Sequence, residues 1–412
     1  MKAFDKSTWA LIALATTFFG IGITEFIGVG VLPLVSEEFS IPTSTAGRIV
    51  SLYALGVAIG GVVLTALASR FDRKSVVLAA IALFIAGHIF TALAGSFGML
   101  LLARIVSATA HGLFFALASA IAVKLVAPGR EAGAIAFIFG GFTIATAFAA
   151  PFGTYLSGIF GWRIPFFGIA AVGVAAFFLN RAAIPSQRRE GNARPVTAAD
   201  QVRLISNPHV LLMLVVTILG YGGTFATFTY ISPILQEITR LSPEDVSAVL
   251  VLYGVAIAIG NYIGGRLGNS HPLKSLTGIF TVQAAVLLAL HFTAPFAIPG
   301  IATVAGIGFM AFMSIPALQS YIMLLARRHV PQAVDLASAL NIASFNGGIF
   351  VGTGLGGLAI DKSGLAATPV VAAAMVAASL ILVQVSRWMD RREERTALEQ
   401  GPQPGALSSF GN

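Results

Sequence analysis

Across 412 residues, 57% are hydrophobic and only 10% are charged. Ordinary soluble domains carry about 25% charged residues, so the composition excludes a soluble globular chain and describes an integral membrane protein. The formal charge of +8 needs no nucleic-acid partner once its placement is considered, and the lack of cysteine excludes disulfides and thiol chemistry.

Apolar stretches of the roughly 20 residues that a helix needs to cross a bilayer recur along the whole chain. In order they fall at 9–35, 47–69, 75–95, 98–123, 133–158 and 163–180, then at 208–236, 246–268, 273–293, 297–326, 336–360 and 366–388. The expected fold is therefore all-α, a polytopic membrane protein of about twelve spans. The first run is too long for a signal-peptide core and lacks a cleavage site, so it is expected to stay attached.

One acid interrupts that first run, Glu25 in "FFGIGITEFIGVGVLP". A charge at the centre of a span costs about 2.5–3.5 kcal/mol on insertion scales, so Glu25 is expected to face the protein interior and to have a partner or a task. The fourth span carries Arg104 and His111, two turns apart on one face. At a rise of 1.5 Å per residue, Glu25 lies roughly 14 Å below the outer surface, between Arg104 at roughly 9 Å and His111 at roughly 20 Å.

The fifth span places Gly141, Ala145, Ala149 and Gly153 at spacings of four around Pro151, and the eleventh does the same with Ser344, Gly348, Gly352 and Gly356. Such small faces let helices approach closely, and the equivalent placement suggests a seam along which two halves move. The second and eighth spans carry shorter versions, Gly56 with Gly60, and Gly260 with Gly264 and Gly268. Tyr221, Phe225, Phe228 and Tyr230 line the seventh span, and Asn341, Ser344 and Asn346 the eleventh. Aromatic faces with a few amides suit a hydroxylated or mildly amphipathic solute. His88 and His291 have no evident partner and read as packing residues, and Arg48 as a headgroup contact.

Lysine and arginine set the orientation, because they accumulate in cytoplasmic loops. With the N-terminus inside, only Arg48, Arg163, Arg240 and Lys362 fall on the outer side, so both termini are expected in the cytoplasm. The polar stretch "RAAIPSQRREGNARPVTAADQVRLISNP" separates two halves. The expected division is an N-terminal bundle over 1–181, a cytoplasmic linker over 182–207, a C-terminal bundle over 208–390 and a tail over 391–412. The halves repeat each other. Leu52, Tyr53, Ala58, Ile59, Gly60, Leu67, Lys74 and Ser75 recur as Leu252, Tyr253, Ala258, Ile259, Gly260, Leu267, Lys274 and Ser275, which points to two pseudo-symmetric six-helix bundles.

Together, "GITEFIGVGVLP", "AGRIVSLYALGVAIG", "LLARIVSATAHGLFFALASA", "FAAPFGTYLSGIFGWR" and "ALNIASFNGGIFVGTGLGG" resemble the major facilitator superfamily, in its twelve-span drug and sugar efflux branch of proton antiporters. That branch includes arabinose-type sugar exporters, nucleoside exporters and chloramphenicol-resistance pumps. The loop after the second span, "TALASRFDRK", keeps the family's basic positions at Arg70, Arg73 and Lys74, but has Thr65, Ser69 and Asp72 where the family has glycine, aspartate and glycine. Ala150 precedes Pro151 where the family's antiporter signature has glycine. The resemblance implies a cavity lined by the first, fourth, seventh and tenth spans, in which Glu25, Arg104 and His111 converge for proton coupling. It also implies that Pro151, Gly153, Gly348 and Gly352 belong to conformational motifs.

The resulting expectation is a proton-coupled exporter of a small organic solute working by alternating access in a bacterial inner membrane. An uptake symporter or a proton-independent facilitator is the alternative. No His–Glu–x–x–His pattern, paired aspartates or serine/base pair points to an enzyme or a metal. The proton gradient stands in for a cofactor, the partners are solute, protons and lipid, and the chain is expected to act as a monomer.

Overall fold

The computed structural model describes residues 6–68, 71–127, 131–185, 198–268 and 271–399, and its regular structure is helical throughout. In the first half the long helices are α1 (Lys6–Glu38), α2 (Arg48–Ala68), α3 (Arg73–Ala92), α4 (Phe97–Lys124), α5 (Glu131–Phe160) and α6 (Arg163–Ala183). A short helix, Ala198–Ile205, precedes the second half. There α7 (Pro208–Phe228), α8 (Pro243–Gly268), α9 (Pro272–Thr293), α10 (Ala297–His329), α11 (Val334–Ser363) and α12 (Thr368–Glu399) follow. Among the described residues 11 single helices are long and apolar enough to cross a bilayer. The twelfth span is α5, in which Phe137–Thr146 and Phe148–Phe160 meet at 43°. Pro151 lies inside this helix, and its ring crowds the carbonyl four residues back, at the bend itself.

Local signals set the helix ends. Ser96 accepts from the Met99 amide at the start of α4, and Asn207 accepts from the amides of His209 and Val210 at the start of α7. Asp72, which departs from the family's loop pattern, caps α3 by accepting from the Ser75 amide at 3.0 Å. Arg73 and Lys74 therefore sit in the first turn of α3, whereas Arg70 lies outside the described residues, as does the stretch 186–197 of the linker. At the other end of the molecule α5 and α11 terminate alike. Gly161 (φ +83°) and Gly364 (φ +80°) follow them, and each amide donates back to the carbonyl four residues earlier.

Helix pairing repeats in the same way. In the first half α1 packs on α5, α2 on α4, and α3 on α6; in the second, α7 packs on α11, α8 on α10, and α9 on α12. Two further pairings, α2 with α11 and α5 with α8, join the halves, and each maps onto the other when the halves are exchanged. The sequence repeat is thus a structural one.

The small-residue stripes lie elsewhere than expected. A Cβ on Gly352 would fall 1.9 Å from the Gly222 carbonyl oxygen, and one on Gly141 would fall 2.2 Å from that of Ala15. Gly153 meets Ile27, and Gly348 meets the backbone of Ile218 and Gly222. Gly60 likewise meets Thr109 of α4, and Gly260 meets the Phe309 carbonyl of α10. These stripes seat helices against partners within their own half. The close glycine contacts named here therefore run inside each half, while the halves meet through the pairings of α2 with α11 and α5 with α8.

The halves touch at the end where α1 finishes and α2 begins. Ser44 donates its hydroxyl to Asp361, and Ser247 of α8 donates to the Pro151 carbonyl at 3.0 Å. Tyr230, just beyond α7, fills the space over Gly47, where a Cβ would lie 2.3 Å from its hydroxyl oxygen. That hydroxyl donates to the Thr353 carbonyl at 2.9 Å.

Two glycines on α11 test the packing. Gly352→Ala should lower the melting temperature of the detergent-purified protein, consistent with an overpacking cost of about 1–3 kcal/mol. Gly354→Ala, where nothing lies within 4 Å of the added carbon, should leave it unchanged. Equal melting of the two variants would contradict the interlocked α7–α11 contact.

Candidate functional site

Four helices of the first half converge on Glu25. From α4 comes His111, buried at 2% exposure, with Nε2 4.0 Å from Glu25 Oε2. Its other ring nitrogen, Nδ1, lies 3.1 Å from the hydroxyl of Tyr53 on α2. At 4.0 Å the acid and the imidazole are electrostatic neighbours rather than hydrogen-bonded partners. The Glu25 side chain as a whole keeps 11% exposure.

Arg104 is fully buried two turns away from His111 on the same helix, α4. It does not spend its donors on the acid. Nε donates to the Ile49 carbonyl at 3.4 Å, Nη2 donates to the Thr24 carbonyl at 3.1 Å, and the guanidinium lies 4.0 Å from the centre of the Tyr53 ring. Nη1 has no hydrogen-bond partner. The cation is therefore held by carbonyl dipoles and a π face, and it contributes positive potential near Glu25 without locking it. His88 of α3, read from sequence as a packing residue, donates from Nδ1 to the Phe84 carbonyl at 2.7 Å. Because a carbonyl only accepts, Nδ1 carries a proton, and in the neutral ring Nε2 accepts from the hydroxyl of Thr24, the neighbour of Glu25. Sequence reasoning brought Glu25, Arg104 and His111 together and missed Tyr53, Thr24 and His88. The signal for Tyr53 was present in the repeat, since its counterpart Tyr253 also holds a ring, stacking on Phe228 at 4.5 Å and 9°.

The next residue, Phe26, carries this cluster to the other half. Its ring lies 6.1 Å from Phe225, 6.2 Å from Phe228 and 5.9 Å from Phe312. Tyr221 joins the same group, 5.1 Å from Phe225 and 5.0 Å from Phe345 of α11. Tyr221, Phe225 and Phe228 thus come together as expected of neighbours on one face, and Phe312 reaches them from the break in α10, where residues 312–314 leave the helix.

The amides separate in character. Asn341 is already satisfied: Oδ1 accepts from Thr217 and Nδ2 donates to Gln319, both at 2.8 Å. That network ties α7, α10 and α11 together. Asn346 donates to the Ile342 carbonyl at 3.1 Å, while its buried Oδ1 has no partner; it offers an unused acceptor. Ser344 is buried at 8% exposure.

The sequence profile described as the Major Facilitator Superfamily matches residues 12–334. The MFS-type transporter YtbD of Bacillus subtilis is 48% identical over 388 residues, covering 94% of this chain and 98% of that protein. The inner membrane transport protein YdhP of Escherichia coli K12 is 35% identical, covering 92% of this chain and 96% of its own length. The transporter AraJ of the same organism is 30% identical over 84% of this chain. Among solved structures, a bacterial homologue of the human lysosomal transporter Spinster superposes with a TM-score of 0.73 at 16% identity, covering 98% of this chain and 100% of its own. The nucleoside transporter NupG gives the same TM-score at 12% identity, covering 93% and 100%. The apolar spans, the repeated helix pairing and relatives aligned along nearly the whole length lead to one conclusion: this chain belongs to the Major Facilitator Superfamily, as a membrane transporter of small solutes.

Proposed function

We propose that the protein is a proton-coupled exporter of a small, hydroxylated or mildly amphipathic organic solute, in which Glu25 carries the exchanged proton. The observation that supports this most directly is the state of Glu25. It is an acid inside an apolar span, 4.0 Å from His111 and with 11% of its side chain exposed, beside an arginine whose bonds go to carbonyl oxygens. An acid that only neutralised a buried cation would be tied to it by short hydrogen bonds. The neighbouring Phe26 meets Phe225, Phe228 and Phe312, so a change of charge at residue 25 acts on the wall where the halves face each other. That aromatic surface, and the unused acceptor of Asn346 on α11, suit such a solute.

In this reading both termini are cytoplasmic, as the lysine and arginine distribution favours, the chain acts as a monomer, and the contacts around Tyr230 close the outer end. The units are the bundles 1–181 and 208–390, joined by the 182–207 connector. Protease added to right-side-out vesicles should leave that connector intact. Cleavage there would reverse the topology.

Glu25→Gln keeps the shape and removes the titrating group. Arg104 retains its carbonyl partners, so the variant should fold and bind solute, while uphill export driven by an imposed pH gradient in proteoliposomes disappears and solute exchange persists. A stable Glu25→Gln protein that still concentrates solute against proton flow would rule out the proposed role.

Tyr53→Phe separates the two tasks of that ring. It keeps the face under Arg104 and removes the hydroxyl beside His111, so stability should fall by only about 0.5–1.5 kcal/mol, while pH-driven flux falls several-fold. Unchanged flux would place the Tyr53–His111 contact outside the coupling path.

A further inference from the structure

A second cluster of titratable side chains lies at the opposite end of the C-terminal half, away from the transport site. His209 is in the first turn of α7, His329 is the last residue of α10, and Glu393 lies near the end of α12. One ligand atom from each falls within 4.8 Å of the others. His209 Nε2 lies 2.7 Å from Glu393 Oε1, and the two imidazoles stack with centroids 5.1 Å apart. Three atoms here lack a hydrogen bond. His209 Nδ1, His329 Nε2 and Asp390 Oδ1 are buried atoms without a hydrogen bond, and His209 itself is only 6% exposed. Leaving such groups unmatched costs stability unless something occupies them.

We propose that His209, His329 and Glu393 form a binding site for a divalent transition-metal cation of the zinc class. Imidazole and carboxylate are the ligands such ions take, and three protein ligands with one open position is a common arrangement. Zinc–nitrogen bonds of 2.0–2.1 Å put tetrahedral ligand atoms about 3.4 Å apart. Reaching that spacing requires Glu393 to open from its 2.7 Å contact with His209 and an imidazole to turn out of the stack, so that both ring planes point at the ion. Asp390 supplies the outer shell. Its Oδ1 is 3.9 Å from His209 Nδ1, and its Oδ2 accepts from the Tyr321 hydroxyl at 2.8 Å. At 3.9 Å the two are electrostatic neighbours, and closing to hydrogen-bond distance when an ion binds would let the carboxylate fix the ring's orientation and strengthen it as a ligand. With both imidazoles neutral, Glu393 and Asp390 together balance a 2+ ion. The nearby Arg327, Arg328, Arg391 and Arg392 are exposed to solvent, where their opposing charge is screened, and Arg387 is turned to Thr277 and Gln384. A bound ion would pin the ends of α7, α10 and α12 to one another.

Untagged full-length protein in detergent, titrated with Co2+, should bind one equivalent and develop the visible absorption of a histidine-ligated ion, which Zn2+ then abolishes. His329→Ala and Glu393→Gln should each weaken binding by at least ~10–100-fold, the loss typical of removing even an outer-shell partner. Asp390→Asn should weaken it less, and His271→Ala should leave it unchanged. Zn2+ should raise the melting temperature of the parent protein and not that of His329→Ala. Because Glu393 is 50% exposed, its variant keeps the fold and the comparison stays readable. No saturable Co2+ binding by the parent protein, or equal binding by the double variant His329→Ala/Glu393→Gln, would overturn the proposal.

Discussion

Lipid tails are as apolar as leucine, so burying hydrophobic surface cannot hold these helices together once they are in the membrane. What remains is van der Waals contact, and it is strongest where backbones approach closely. The molecule depends on such contacts at α1–α5, α2–α4, α7–α11 and α8–α10, each made by glycines whose absent Cβ leaves room for a neighbouring backbone or side chain. Around these pairs the longer side chains fill each bundle.

Within the first bundle, Arg104 adds a second kind of constraint. A fully buried guanidinium must find acceptors, and it takes them from the backbones of α1 and α2 while resting on Tyr53. The same bonds that stabilise the cation therefore fix the positions of Thr24, Glu25 and Tyr53 relative to α4. Glu25 is placed beside His111 as a consequence. One buried charge organises the site, and the acid stays free because the bonds the arginine makes go to carbonyl oxygens of α1 and α2.

The second bundle's polar and aromatic contacts use neutral groups. Tyr253 stacks on Phe228, and Thr217, Asn341 and Gln319 form a closed hydrogen-bond chain. The repeat thus conserves helix pairing while its halves differ in chemistry, charged on one side and aromatic with amides on the other. Phe26 is where the two meet.

Hydropathy determined the class of the protein and the number and order of its spans, because a bilayer imposes length and composition on every crossing segment, and the residues shared between the halves determined the two-fold repeat. Helical periodicity and depth also put Glu25 level with the space between Arg104 and His111. Periodicity reports which residues share a face, not which neighbour that face meets, so only the tertiary structure decided that the glycine stripes bind helices within a half. The same holds for Arg104, whose carbonyl partners carry no mark in the sequence, and for Asn341, whose amide is consumed by Thr217 and Gln319. His209, His329 and Glu393 make the point most sharply: they sit on three helices far apart in the chain and have no motif spacing, and only the packing of α7, α10 and α12 brings their ligand atoms together.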